Sequence, residues 1–282
     1  MLSRRAVLFA APAFLLEAEL LPQAVSLTGR RLYSLPDTDG AVQAAQKALA
    51  ADAKNPALAL KLSKAQAAKR QYREANATCT AALAWSPNNA EIYTERGHRE
   101  LGLREFKTAL SDLSRAVELD PKQLDAHYHR GLAYYFLRQF ANAAQSFGRA
   151  LDLAQSADSV IDCANWRYVA LRRAGTKDAA TQVLARITPD VKNTEPHLFF
   201  YLQLLHFYQG KLTEAQILPP KPASADDIEG ELSYNTINYG VGNWHLYSGD
   251  SAHATAFFQK ATSGFAWNSW GFIGSEIELA NR

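Results

Sequence analysis

The 282-residue chain has little cysteine, no excess of one charge and no long apolar run beyond its N-terminus. Cys79 and Cys163 are too few for a disulfide framework or a cysteine-rich zinc site, although one disulfide stays possible. The 30 basic residues nearly balance the 28 acidic ones, which disfavours a dedicated nucleic-acid binder. The sequence also lacks a glycine-rich phosphate loop and the G-x-S-x-G and H-E-x-x-H motifs. We therefore expect no enzyme, no metal site, no cofactor, no nucleic-acid partner and no transmembrane span.

The N-terminus has the order of a secretory signal, with positive charge first and an apolar stretch after it. Arg4 and Arg5 precede an apolar run over residues 6–16, and residues 3–8 resemble the twin-arginine export motif. We expect residues 1–26 to be an export signal and the protein to be periplasmic or extracellular. The alternatives are an N-terminal amphipathic helix on a cytoplasmic protein and a mitochondrial-type presequence.

Small and apolar residues recur every 34 positions through the first half of the chain. Five sets of three residues and one pair of prolines share this spacing: Ser63, Gly97 and Gly131; Tyr72, Phe106 and Phe140; Ala75, Ala109 and Ala143; Cys79, Leu113 and Phe147; Ala82, Ala116 and Ala150; Pro87 and Pro121. A fixed period of this length is typical of repeats built from two helices. The residue types fit, because glycine and alanine let two helices approach closely and proline ends a helix.

With these positions in register, residues 56–157 resemble three tetratricopeptide repeats. The resemblance implies an all-α fold, a right-handed α-solenoid of helix-turn-helix repeats with a concave groove. The rest of the chain keeps weaker versions of the pattern. We expect these units in chain order: a leading half-repeat and three regular repeats over 39–157, degenerate helical repeats over 158–218, a linker over 219–227, and a final repeat with a closing helix over 228–282.

In this repeat family, partners usually contact fixed positions on the first helix of each repeat. The resemblance therefore implies a groove for a protein or peptide, and its candidate residues are Leu60, Lys64, Glu91, Thr94, His98, Leu101, Asp125, Tyr128, Leu132 and Tyr135. A clamp for the terminal carboxylate of a peptide is not expected. Glu95 and Asp125 stand where such a clamp needs groups that attract a carboxylate, and two acids would repel it.

The last 40 residues are rich in large aromatic side chains, among them Trp244, Trp267 and Trp270. One interpretation is core packing between the final repeat and its closing helix, which must bury a large area. The alternative is an aromatic-lined pocket for a ligand, in a ligand-binding or enzyme-associated module.

The order of the units also resembles the new lipoprotein I type of tetratricopeptide adaptors from Gram-negative cell envelopes. The closest stretches are "DAHYHRGLAYYF" at 125–136 and "NYGVGNWHLYSGDSAHATAFFQKA" at 238–261. The sequence lacks the lipid-carrying cysteine of that group, so the resemblance does not extend to lipid anchoring. It implies a non-enzymatic scaffold that binds protein or peptide partners in a bacterial envelope, with a cytoplasmic adaptor as the alternative.

Overall fold

The computed structural model describes residues 20–195, 198–224 and 227–281, which form a short β-hairpin followed by helices. Strands β1 (Pro22–Val25) and β2 (Arg31–Tyr33) pair in antiparallel orientation. The helices of this described part are α1 (Ala41–Ala51), α2 (Pro56–Ala68), α3 (Tyr72–Trp85), α4 (Ala90–Gly102), α5 (Phe106–Leu119), α6 (Leu124–Phe136), α7 (Phe140–Leu153), α8 (Ala157–Arg173), α9 (Lys177–Leu184), α10 (Phe199–Tyr208), α11 (Glu214–Ile217), α12 (Ile228–Tyr247), α13 (Ser251–Ala261) and α14 (Trp270–Ala280). The predicted all-α repeat fold is confirmed, with the hairpin as an addition.

The expected export signal and the expected lack of a transmembrane span concern two different parts of the chain. Most of the expected export signal, residues 1–19, lies outside the described residues, and the expected boundary at residue 26 falls in the turn between β1 and β2. Among the helices that the structure describes, none combines the length and the apolar character needed to cross a bilayer.

Consecutive helices pack as pairs: α2 with α3, α4 with α5, α6 with α7, α8 with α9, α10 with α11 and α12 with α13. The regular glycines explain how closely the pairs approach. A Cβ atom added to any of three glycines would lie 2.6–2.7 Å from a side chain sixteen residues later, which is closer than real Cβ atoms come. These pairs are Gly97 with Leu113, Gly131 with Phe147, and Gly242 with Phe258. The final repeat therefore uses the same contact as the regular ones.

The first helix of every pair ends in the same turn. One residue adopts positive φ, and the N–H of the next residue donates a 2.9 Å hydrogen bond to a carbonyl five residues earlier. The residues at positive φ are Arg70 (54°), Arg104 (68°), Arg138 (61°), Gly175 (79°), Gly210 (72°) and Gly249 (93°). Glycine adopts this conformation without strain, whereas arginine pays about 1–2 kcal/mol for it. The three regular repeats therefore carry a strained residue where the later repeats carry a relaxed one.

The contacts of these arginines show what offsets the strain. We name residues 264–281 the closing segment, and this segment packs against the first helices of the regular repeats. Arg70 donates a 3.0 Å hydrogen bond to the carbonyl of Phe265, and Arg104 donates to Glu276 at 2.7 Å. Arg138 forms a longer ion pair of 3.3 Å with Glu278. Three arginines spaced 34 residues apart thus hold the closing segment against the regular repeats.

The β-hairpin seals the same junction. Leu32 of β2 belongs to one apolar cluster with Tyr72, Leu103, Trp267 and Phe272. The indole Nε1 of Trp267 donates a 3.0 Å hydrogen bond to the carbonyl of Tyr33. The solenoid is therefore closed on itself, because the hairpin, the first two repeats and the closing segment share one core.

Candidate partner-binding groove

A groove follows the first helices α2, α4, α6 and α8, and Trp270 of the closing segment lies beside it. It consists of three neighbouring cavities with volumes of about 440, 180 and 330 Å³. The first and second cavities share Lys64 and His98, and the second and third share Asp125 and His129. We call this surface the concave groove. Its total volume lies near the upper end of the range of about 300–1,000 Å³ that is typical of ligand pockets.

Three rings cluster in the middle of the concave groove. The imidazoles of His98 and His129 lie face to face with their centroids 4.0 Å apart. The indole of Trp270 lies 5.3 Å from His98 and 6.1 Å from His129. Burial lowers the pKa of His98 well below its usual range and lowers the pKa of His129 to about 4. At neutral pH both imidazoles are therefore uncharged, and the cluster of three rings is a neutral patch in a cavity that Lys64 and three carboxylates also line.

The end of the groove near α2 is basic. Lys64 is exposed on α2, and Arg70 lies in the turn that follows α2. Arg99 also lines this end, but its guanidinium is paired with Glu95 at 2.9 Å. The side-chain oxygen of Asn268 is buried in the same wall without a hydrogen-bond partner in the structure. This end thus offers two cations to an incoming group.

The end of the groove near α8 is acidic. Asp125, Asp158 and Asp162 line the third cavity together. Tyr128 donates a 2.8 Å hydrogen bond to Oδ1 of Asp162, and Thr194 donates its backbone N–H to Asp158 at 2.8 Å. Burial raises the pKa of Asp162 to about 7, even though the Tyr128 hydrogen bond lowers it. The concave groove therefore has opposite charges at its two ends.

Most of the candidates from the sequence meet in this groove. Six of them line the second cavity, namely Leu60, Lys64, Glu91, Thr94, His98 and Asp125. Tyr128 lines the third cavity, although only 6% of it is exposed. These side chains come together because the 34-residue period places equivalent positions of successive first helices side by side. Whether they contact a partner stays a prediction.

The remaining three candidates are buried. Leu101 and Leu132 are 0% exposed, and Tyr135 is 2% exposed. The hydroxyl of Tyr135 donates to the side chain of Asn243 at 3.2 Å and accepts from Tyr239 at 3.1 Å. Tyr135 is covered because α12 folds back onto the regular repeats. Sequence periodicity gives no sign of that return, so it does not place Trp270 in this groove. Asp162 was open to detection, since it lies 34 residues after Tyr128.

The C-terminal tryptophans were expected either to pack in the core or to line a ligand pocket. Trp267 is 3% exposed and packs edge-on against Tyr72, with ring centroids 5.3 Å apart. Trp244 lies partly buried beside Phe207. Trp270 differs from both, because it packs against His98 and also lines the first and third cavities. Packing therefore accounts for Trp267, whereas Trp270 is both a core residue and part of the groove.

Comparison with known proteins places the repeats in a family. Tetratricopeptide repeat profiles match residues 33–94, 105–137 and 124–156. The chain is a tetratricopeptide repeat protein, a class whose fold generally serves as a scaffold for protein or peptide partners.

Solved structures with the same kind of fold are distant in sequence. A tetratricopeptide repeat protein from Parabacteroides merdae ATCC 43184 is 22% identical, with a TM-score of 0.52 over 87% of this chain and 93% of that protein. MamA is 22% identical with a TM-score of 0.47, over 62% of this chain and 92% of MamA. YrrB, described as a repeat protein with an unusual peptide-binding site, is 17% identical with a TM-score of 0.37, over 65% of this chain and 90% of YrrB. A search of the curated proteins gives no significant match.

Proposed function

We propose that this protein is a non-enzymatic scaffold that binds an extended peptide segment of a partner protein in the concave groove. The observation that carries the proposal is the chain of three connected cavities along successive first helices, with opposite charges at its two ends and an uncharged cluster of rings between them. Lys64 and Arg70 favour an acidic residue of the peptide near α2. Asp125, Asp158 and Asp162 favour a basic residue near α8.

The ring cluster between the two ends suits an apolar or aromatic side chain of the same peptide. Trp270 and the stacked His98 and His129 rings are uncharged and aromatic there. The preferred ligand is therefore a short segment with an acidic residue, an apolar residue and a basic residue in order along the groove. Several weak contacts of this kind give specificity more than high affinity.

A random peptide library displayed on phage and selected on the immobilised protein tests the proposal. Enriched peptides would be synthesised with a fluorophore, and their affinity measured by anisotropy. We expect Lys64→Glu to weaken binding by at least about tenfold, because reversing one charge at a contact costs upwards of about 1.4 kcal/mol. Lys107→Glu is the matched control, since Lys107 is an exposed lysine on a second helix, α5, outside the three cavities.

Two results would contradict the groove as the binding surface. One is the absence of any enriched peptide. The other is equal affinity of the enriched peptides for the protein and for its Lys64→Glu and Asp125→Lys variants. These positions are suited to the test because both side chains are exposed, whereas substitution of Leu101 or Tyr135 would disturb the core.

We also propose that the protein is exported to a bacterial cell envelope. Arg4, Arg5 and the apolar run after them support this location. Because β1 begins at Pro22 and pairs with β2, we place signal cleavage before the hairpin and not after residue 26. N-terminal sequencing of the natural protein tests both points, since an uncleaved chain, or one that begins at residue 27, would contradict them.

A further inference from the structure

We propose that His245, Asp250 and His253 form a binding site for one divalent transition-metal ion of the Zn²⁺ and Co²⁺ type. The site lies where α12 ends and α13 begins, away from the concave groove, and is independent of the function proposed above. Sequence motifs give no indication of it, because the spacing matches none of the familiar metal-binding patterns.

The donor atoms are already close together. One ligand atom from each of the three residues lies within 4.8 Å of the other two. Oδ2 of Asp250 is 2.6 Å from Nδ1 of His253 and 3.8 Å from Nδ1 of His245. Donors bound to one Zn²⁺ at about 2.0–2.2 Å lie about 3–4 Å apart. Small side-chain rotations are therefore enough to bring all three donors onto one ion.

A fourth residue orients the first ligand. Oε2 of Glu214 is 2.8 Å from Nε2 of His245, on the side of the ring opposite to Asp250. A carboxylate in this place holds the ring proton on Nε2, so the lone pair of Nδ1 faces Oδ2 of Asp250. Metal-binding histidines are commonly supported by such a carboxylate on their second nitrogen. Glu214 is therefore a positioning residue for His245.

The backbone fixes the relative positions of the ligands. The N–H of Asp250 donates to the carbonyl of His245 at 2.9 Å, across the turn at Gly249. The imidazole of His245 is stacked on Phe257, with centroids 5.5 Å apart and planes at 13°. Oδ1 of Asp250 accepts from the backbone N–H of His253, which leaves Oδ2 for the ion. Two of the three ligands are thus held before any ion arrives.

The third ligand gives access to the site. The side chain of His253 is 70% exposed, so an ion can enter from solvent and keep water in its remaining positions. Nδ1 of His253 lies within hydrogen-bond distance of Asp250 and must carry no proton when it binds a metal. Binding of the ion therefore displaces any proton on Nδ1 to solvent or to the second ring nitrogen, Nε2.

Titration of the full-length, chelator-treated protein with Co²⁺ tests the proposal. We expect a saturable absorption band in the visible region, one Co²⁺ per chain, and displacement of Co²⁺ by added Zn²⁺. Glu214→Gln should weaken binding roughly 10- to 100-fold, as loss of a supporting residue generally does. His253→Ala removes a ligand and should weaken binding further.

His206→Ala is the control, because it removes a half-buried histidine of α10 that lies outside the cluster. Circular dichroism of each variant checks that the fold is retained. The proposal is overturned if the unaltered protein shows no saturable Co²⁺ band. It is also overturned if His253→Ala binds Co²⁺ as tightly as the His206→Ala control and the unaltered protein. In either case the cluster is a hydrogen-bonded network of Glu214, His245, Asp250 and His253 that binds no metal.

Discussion

The regular and the degenerate repeats end their first helices in the same turn but fill it differently. Arg70, Arg104 and Arg138 occupy the left-handed position in the regular region, and glycines occupy it afterwards. The backbone hydrogen bond across the turn is 2.9 Å in both regions, so the turn itself does not require arginine. The difference lies in what the side chain reaches. The three arginines contact the closing segment, which makes a strained residue in the regular repeats a device for closing the solenoid.

The buried arginine provides the largest expected effect. Arg104 and Glu276 are 4% and 0% exposed, and they are 2.7 Å apart. Arg104→Gly suits the turn but leaves Glu276 without its partner, so we expect the free energy of unfolding to fall by about 3–5 kcal/mol. Urea denaturation measures the change. Adding Glu276→Gln should recover part of the loss, and a single variant as stable as the unaltered protein would show that the contact does not close the solenoid.

The pH dependence of stability tests the acidic end of the groove, where the first degenerate helix, α8, follows the regular repeats. Asp162 lies on α8, and its pKa of about 7 exceeds the value of about 4 expected in the unfolded chain. The folded state therefore binds more protons between these values, and the free energy of unfolding falls as pH rises, by up to about 1.4 kcal/mol per unit. Asp162→Asn has no carboxyl group at this position, so this part of the pH dependence is absent from the variant. We expect the variant to gain about 2–3 kcal/mol relative to the unaltered protein between pH 5 and 8.

Urea denaturation of the unaltered protein and of Asp162→Asn at pH 5 and at pH 8 measures this difference in the free energy of unfolding. Parallel pH dependence in the two would mean that Asp162 stays ionised in the folded protein. The acidic end of the groove would then hold a full additional negative charge at pH 6, and binding of a basic residue there would need no change of protonation.

The helix contact inside a regular repeat gives a smaller effect. Ala109 is 0% exposed, and its carbonyl oxygen would lie 3.3 Å from a Cβ on Gly97. Ala109→Leu overpacks this contact and should destabilise by about 1–3 kcal/mol. Ala81→Leu on α3 is the control, because Ala81 is exposed. Thermal melting compares the two, and an unchanged melting temperature for Ala109→Leu would contradict the close approach of the helices.

Substitution of the partly exposed Arg138 should have the smallest effect on stability. The side chain of Arg138 is 43% exposed, and its partner Glu278 keeps a shorter ion pair with Arg173 at 2.7 Å. Exposed ion pairs contribute about 0–1 kcal/mol, which relief of the strained φ offsets. We expect Arg138→Gly to change the free energy of unfolding by less than about 0.5 kcal/mol. A loss comparable to that of Arg104→Gly would mean that all three arginines carry the closure equally.

Sequence reasoning recovers what depends on spacing within the repeats. The 34-residue period locates the close contacts of Gly97 and Gly131 and brings Lys64 and His98 to one groove. It also contains the arginine series, since Arg70, Arg104 and Arg138 share the period, although arginine at that place does not by itself suggest positive φ. The local pattern thus determines the repeats and most of the candidate surface.

Contacts between segments that are far apart in the sequence cannot be predicted from the repeat spacing. Arg104 and Glu276 are 172 residues apart, and Trp267 meets Tyr33 across 234 residues. Nothing in the spacing of either segment encodes the other. The sequence therefore predicts a closing helix beside the final repeat but neither its contacts with the regular repeats nor the hairpin. The burial of Tyr135 follows from the same cause.

The most direct measurement is hydrogen exchange of the closing helix across a series of denaturant concentrations. In an open solenoid the terminal element exchanges faster than the central repeats, because each repeat contacts only its neighbours. We expect backbone amides of α14 to exchange as slowly as those of α6, and both to respond to denaturant with the same dependence. Rapid exchange of α14 while α6 stays protected would contradict the closure.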